Sequence, residues 1–251
     1  MASDFLDKAY RQVVSDWQAR NISSREDLAA ALDDYRIRFA YNSGHIENPQ
    51  ISYHDTRAVF EDGRVVGFTG DPRTLFEIQN LKECHEVLLD AFAVHRKLDE
   101  DFVLECHRTL TQGTYDERRW RAGERPGSYK RGDYVVGSGD VGATPDEVPQ
   151  EMSALIDEVS QAEPTKPLVL AAYFHDVLEN IHPFADGNGR CGRSLMNHLL
   201  VCLNHPPIIV FEDDRIPYYG AIEAWDTDKN LVPTLTFLRV EAVKTWRSGR
   251  G

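Results

Sequence analysis

Apolar positions in this chain recur mostly every three or four residues, the period of a helix with one buried face. Leu75, Ile78, Leu81, His85, Leu88 and Phe92 mark one long helix of this kind. Val103, Cys106, His107 and Leu110 mark a second, opened by Asp99-Glu100-Asp101 and ended at Gly113. Met152, Leu155, Ile156 and Val159 follow Pro149, which suits a first helical turn. Thr165 and Pro167 open a further pattern through Leu170, Phe174, Val177, Leu178 and Ile181. Leu195, Met196, Leu199, Leu200 and Leu203 form another, and Leu231, Leu235, Leu238, Ala242 and Trp246 the last. Near the N-terminus Phe5, Leu6, Tyr10, Val13, Val14 and Trp17 share a face, and Ser23-Ser24-Arg25-Glu26 predicts a capping box for the next helix. The expected fold class is all-α.

Residues 113–148 break the pattern with glycines at 113, 123, 127, 132, 137, 139 and 142. Tyr134-Val135-Val136 is the strand-like run there, and Gly137-Ser138-Gly139-Asp140 predicts a hairpin turn. A long loop of this kind inside a helical domain is usually functional. Pro206 to Phe211 is a short apolar link. The organisation expected is an N-terminal helical segment, residues 1–72, followed by the main domain, residues 73–251.

Composition narrows the function classes. The chain has 251 residues, 41% hydrophobic and 27% charged, which excludes a mostly disordered polypeptide. Its net charge is 28 − 41 = −13, which argues against a general nucleic-acid binder or an anionic-membrane binder. The longest apolar run, Leu168 to Phe174, is far short of the roughly 18–20 residues that cross a bilayer. The first eight residues carry no basic and apolar signal pattern, so a cytoplasmic location is expected. Cys84, Cys106, Cys191 and Cys202 have no CxxC spacing and are expected to be reduced thiols.

The chemistry concentrates in Ile181 to Arg193, a loop leading into a helix. Helix N-termini expose unpaired N–H groups and a positive dipole end, and Gly187 and Gly189 let an anion approach. Arg190 and Arg193, three residues apart, share a face of the first turns and suit a polyphosphate. Asp186 is a hard oxygen donor of the kind Mg²⁺ on phosphates requires. His182 is the nearby group able to accept a proton at neutral pH. The segment Arg118 to Arg131 has six basic residues against one acid, Glu124; such runs are usually solvated, and this one could also attract an anion or an acidic target.

The run His182-Pro183-Phe184-Ala185-Asp186-Gly187-Asn188-Gly189-Arg190-Cys191-Gly192-Arg193 resembles the Fic-family signature His-Pro-Phe-x-(Asp/Glu)-Gly-Asn-Gly-Arg-x-x-Arg at every specified position. Arg125 to Lys130 followed by Val135-Val136 resembles the family's β-hairpin flap, and Pro217-Tyr218-Tyr219 with Asp226 the segment closing the adenine side. The resemblance spans roughly residues 73–248. It implies a Fic-type helical domain that transfers AMP from Mg-ATP to a Ser, Thr or Tyr hydroxyl of a protein target. In that reading His182 is the general base and Asp186 binds Mg²⁺. Gly187, Asn188 and Gly189 hold the phosphates, with Asn188 near the α-phosphate, and Arg190 and Arg193 hold the β- and γ-phosphates. Tyr218, Tyr219 and Asp226 line the adenine side, although some relatives carry Asn where this chain has Asp226. Val135, Val136, Gly137, Ser138 and Gly139 dock a target segment by strand addition. Doc-like relatives, which phosphorylate, have Lys in place of Gly189. A homodimer is implied by the same resemblance.

Ser43-Gly44-His45-Ile46-Glu47-Asn48 resembles the family's inhibitory motif (Ser/Thr)-x-x-x-Glu-(Gly/Asn), placed before the core on an N-terminal inhibitory helix. Glu47 would pair with Arg193 and displace the γ-phosphate. Alternatives within the resemblance are removal of AMP from a target, transfer of another nucleotide group, or a non-catalytic ATP-sensing or toxin–antitoxin module.

Overall fold

Helices supply all the regular secondary structure among the described residues, 2–134 and 142–247 of a computed structural model. The expected hairpin residues Val135, Val136, Gly137, Ser138 and Gly139 lie outside the described residues. At the centre are α9 (Pro167–Ile181) and α10 (Asn188–Cys202), joined by residues 182–187 and packed along each other. Their facing side chains, Phe174, Leu178, Leu195 and Leu200 among them, are wholly removed from solvent. These are the positions the periodicity marked, and such burial contributes about 1.5–3 kcal/mol per large apolar side chain.

Two helices lie against α10 from one side, α5 (Pro72–Ala93) and α6 (Glu100–Thr111). Each begins where a side chain satisfies an orphan N–H: Asp71 accepts from Arg73 at 2.9 Å, and Asp99 from Phe102 at 2.8 Å. Helix α8 (Val148–Gln161) covers α9. Two C-terminal helices, α11 (Arg215–Asp228) and α12 (Val232–Arg247), close the remaining flank.

The N-terminal helices are not an independent appendage. Helix α1 (Ala2–Gln18) packs on α12, with Trp17 and Trp246 ring centroids 5.1 Å apart. Helix α2 (Arg25–Ala31) and helix α3 (Asp33–Glu47) both lie on α5, and α3 also reaches α10. Helix α4 (Tyr53–Asp62) follows before the expected boundary at residue 72. Residues from both sides of that boundary, such as Ile46 and Ile78, enter one apolar cluster. The N-cap of α2 is Ser24, and its reciprocal partner is Asp27 rather than Glu26, one residue beyond the stretch that suggested the box.

The periodicity gave no warning of α7 (Glu117–Arg121), a five-residue helix within the glycine-rich region. It is polar on every side except Trp120, so it has no apolar stripe to read. Asp116 caps it by accepting from the Arg119 N–H at 2.8 Å, and this places Arg119 beside the loop that joins α9 to α10.

Buried histidines make this core acid-sensitive. His107, His198 and His205 are at most 3% exposed, and burial pushes each ring down to about 4. Below about pH 6.5 the unfolded chain takes up a proton at each ring, whereas the folded chain waits until about 4. The stabilisation is therefore complete above pH 6.5 and falls as the pH drops. Glu179 and Glu241, raised by burial, oppose it. Urea unfolding at pH 7 and pH 5 should show a midpoint lower at pH 5, corresponding to a loss of about 1–2 kcal/mol per uncompensated ring.

Candidate active site

Helix α9 ends at His182, which adopts the left-handed conformation (φ 51, ψ 60) while its N–H closes the last turn onto the Leu178 carbonyl at 2.9 Å. This geometry turns the chain sharply into the loop, and His182 lines the cavity described below. Phe184, fully buried, stacks on His107 with centroids 3.7 Å apart and pins the loop from beneath. The Asn188 side chain stitches it from within: Oδ1 accepts from the Phe184 N–H at 2.9 Å and Nδ2 donates to the Phe184 carbonyl at 2.8 Å. The side chain expected near the α-phosphate is thus committed to the loop, and Asn188 offers an anion its main-chain N–H. Gly187, at φ 86, caps α10 and sits where a Cβ would strike Thr111 Cγ2 at 2.7 Å.

Arg193 is 1% exposed yet fully partnered. Its Nη2 donates to Glu47 Oε1 at 2.7 Å and to the Ser43 carbonyl at 2.9 Å, Nε to Ser43 Oγ at 3.1 Å, and Nη1 to Tyr218 Oη at 3.2 Å. Burial opposes the charge, and Tyr218 and Glu47 more than restore it. The two motifs, 146 residues apart in the chain, therefore meet at one guanidinium. Gly189 lies at the contact, where any Cβ would overlap Glu47 Oε1 and stand 2.8 Å from Arg193 Nη1.

Arg190, expected to hold phosphate beside Arg193, faces the other way. Its Nη2 lies 3.2 Å from Asp186 Oδ1 and its Nη1 3.6 Å from Glu77 Oε1. Asp186 also receives Arg73 at 2.6 Å and Arg119 at 3.8 Å. Burial would raise its carboxyl, and Arg190, Arg73 and Arg119 together hold it below the usual range. Arg73, Glu77 and Arg119 are site residues that the motif reading missed. Glu77 carried a readable signal, a charge on the face of α5 that Ile78 and Leu81 bury.

His182, Asp186, Gly187, Asn188, Gly189, Arg193, Tyr218, Tyr219, Asp226 and Glu47 line one cavity of about 740 Å³. Tyr218 is not a free lid over it: the ring is 3% exposed and its hydroxyl bridges Arg193 and His175 Nε2, the latter at 3.0 Å. Tyr219 stays 46% exposed. Asp226 accepts from Asn180 Nδ2 at 2.8 Å. Burial, with Lys130 second, lowers the His182 ring to about 4, so it is neutral at pH 7. Its Nδ1 is buried with no hydrogen-bond partner.

Among the described residues no group of three or more His, Cys, Asp or Glu side chains is arranged to hold a metal ion. Asp186 is one hard oxygen donor in the cavity wall. That set does not fit a resident, protein-caged cation. It does fit Mg²⁺ whose other ligands are phosphate and water oxygens.

Residues 97–200 match the Fic/DOC family. That match takes in the whole run from His182 to Arg193. It is similar to the protein adenylyltransferase Fic of Nematostella vectensis, 28% identical over 198 residues, which are 76% of this chain and 44% of that one. It is also similar to the protein adenylyltransferase Fic of Aedes aegypti, 29% identical over 206 residues, 78% of this chain and 38% of that one. The chain thus spans less than half the length of these curated relatives. Among solved structures, a Fic domain containing signaling protein from Bacteroides thetaiotaomicron superposes with a TM-score of 0.77 at 25% identity, covering 94% of this chain and 93% of that one. A Fic family protein from Desulfovibrio desulfuricans gives 0.76 at 27% identity, covering 97% and 72%. Among the described residues no helix is long and apolar enough to cross a membrane.

The stitch made by Asn188 predicts a stability effect separate from chemistry. Asn188→Ala leaves the buried Phe184 N–H and C=O without partners and should lower unfolding free energy by about 1–3 kcal/mol in a denaturant titration.

Proposed function

We propose that this Fic domain is a protein adenylyltransferase, moving AMP from ATP to a Ser, Thr or Tyr hydroxyl of a protein target and restrained by Glu47. The observation that carries the reading is the set of groups sharing one cavity: a neutral His182, an N-terminal helix turn with Gly187 and Gly189, and Arg193 held by Glu47. Relatives named protein adenylyltransferase support the reaction class.

The target hydroxyl oxygen attacks the α-phosphorus and forms the new P–O bond. The bond from the α-phosphorus to the bridging oxygen breaks, and pyrophosphate leaves. The hydroxyl proton passes to His182, whose buried Nδ1 leaves Nε2 as the receiving nitrogen. A ring of ordinary pKa would be partly protonated at neutral pH, and burial keeps this one ready to accept. N–H groups at the start of α10 meet the phosphates, as helix N-termini do for anions. Asp186 would hold Mg²⁺, which when bound neutralises phosphate charge. Tyr219 and Asp226 line the same cavity and would face the adenine. A target segment would dock on Val135 to Gly139, and the four free thiols suit a cytoplasmic setting.

Glu47 inhibits by competition. A γ-phosphate and the Glu47 carboxylate need the same Arg193 Nη2, and a closed state favoured about 100 to 1 reduces apparent affinity for productive ATP about 100-fold. Transfer of labelled AMP to target or to the chain itself tests the reading. Glu47→Gly should raise transfer about tenfold or more, and His182→Ala should lower the activity of that variant by about 10²–10⁴-fold. Equal transfer by Glu47→Gly and wild type would remove the inhibitory role. No transfer from either would remove the enzymatic one.

A further inference from the structure

Glu77 and Asp186 lie on either side of two guanidiniums. Arg73 reaches Glu77 with Nε at 2.9 Å and Asp186 with Nη2 at 2.6 Å. Arg190 reaches the same two carboxylates with Nη1 at 3.6 Å and Nη2 at 3.2 Å. The four side chains close a ring of alternating charge that sums formally to zero. Arg119 stands outside the ring, 3.8 Å from Asp186 and 3.4 Å from Asp116. Glu77 is 3% exposed and Arg190 2%, so solvent screens these contacts weakly. The ring is also moored to the inhibitory segment: Asn48, directly after Glu47, donates from Nδ2 to Glu77 Oε2 at 2.6 Å.

We propose that Arg73 is a positioning residue that keeps a divalent cation off Asp186 until the phosphates of a nucleotide arrive. The inference rests on the reading above that Asp186 is the carboxylate for Mg²⁺. Without nucleotide both oxygens of Asp186 are engaged, Oδ2 by Arg73 and Oδ1 by Arg190. An approaching cation must displace a guanidinium, and the neutral ring with Arg119 beside it offers no net attraction. Phosphate oxygens reverse both conditions. They give Arg73 and Arg119, both partly exposed, alternative acceptors, and they bring the oxygen ligands that Mg²⁺ requires. Metal and nucleotide are then coupled, each raising the affinity of the other by one common factor. Removing Arg73 leaves two carboxylates facing one guanidinium in the ring, and the site becomes attractive to a bare cation.

Mn²⁺ titration of the nucleotide-free protein, with free Mn²⁺ read by electron paramagnetic resonance, tests this directly. Wild type should show affinity at least about tenfold weaker than Arg73→Ala. Adding Asp186→Asn to Arg73→Ala should abolish the gained site, and Arg73→Lys, which keeps the charge, should stay close to wild type. Arg73→Gln is run in parallel, and circular dichroism selects the folded variants. Equal Mn²⁺ affinity of wild type and the folded neutral variants overturns the proposal, as does a gained site that survives Asp186→Asn. The titration needs no turnover, so its failure is distinguishable from failure of the adenylyltransferase reading, which is judged by AMP transfer alone.

Discussion

A guanidinium sealed from water must never be alone, and Arg193 organises this structure around that constraint. Breaking a buried ion pair by removing one partner typically costs about 3–5 kcal/mol, because the remaining charge is stranded. Ser43, Glu47 and Tyr218 meet this demand from two separate helices, α3 and α11. On the reading proposed above, the same demand would let Glu47 be exchanged for a substrate anion. A phosphate would take the carboxylate's place at the one position where the partner is an anion, and the other donors would keep their acceptors. The contact reaches the backbone too, since a Cβ at 189 would push the Glu47 carboxylate aside.

The end of α3 touches two separate charge clusters around the start of α10. Glu47 holds Arg193, and Asn48 holds Glu77 within the ring around Asp186. Two neighbouring residues thus hold Arg193 directly and reach Asp186 through Glu77 and the guanidiniums it shares. Displacement of this one turn would disturb both contacts together. Below, α3 is fastened to α5 and α10 by the apolar cluster that includes Ile46 and Ile78, so the segment carrying Glu47 is part of the core rather than a tail laid over it.

Much of this was legible in the sequence wherever structure follows a local rule. The stripes in α5, α6, α8, α9, α10 and α12 put most of their marked residues in the core because burial of one helix face imposes a fixed period. The line of cavity residues from His182 to Arg193 was readable because anion binding at a helix start needs glycines and cations at fixed spacing. Helix α7 was not readable, because five residues with four charges leave no face to detect. The pairing of Arg73 with Asp186 was hidden for another reason: ion pairs 113 residues apart impose no periodicity. Orientation was equally out of reach. Spacing placed Arg190 and Arg193 on one side of α10, but the carboxylates that arrive from α5 and α3 turn the two guanidiniums to different partners.

The left-handed backbone at His182 has an evolutionary consequence. Most side chains resist that conformation by about 1–2 kcal/mol, while glycine adopts it freely and asparagine tolerates it well. A lineage of this fold that abandoned chemistry but kept nucleotide binding would therefore drift most easily to Gly or Asn at this position. Alanine, the usual laboratory replacement, would be a poor natural one. Inactive descendants should thus be recognised by which residue replaced the histidine as well as by its absence.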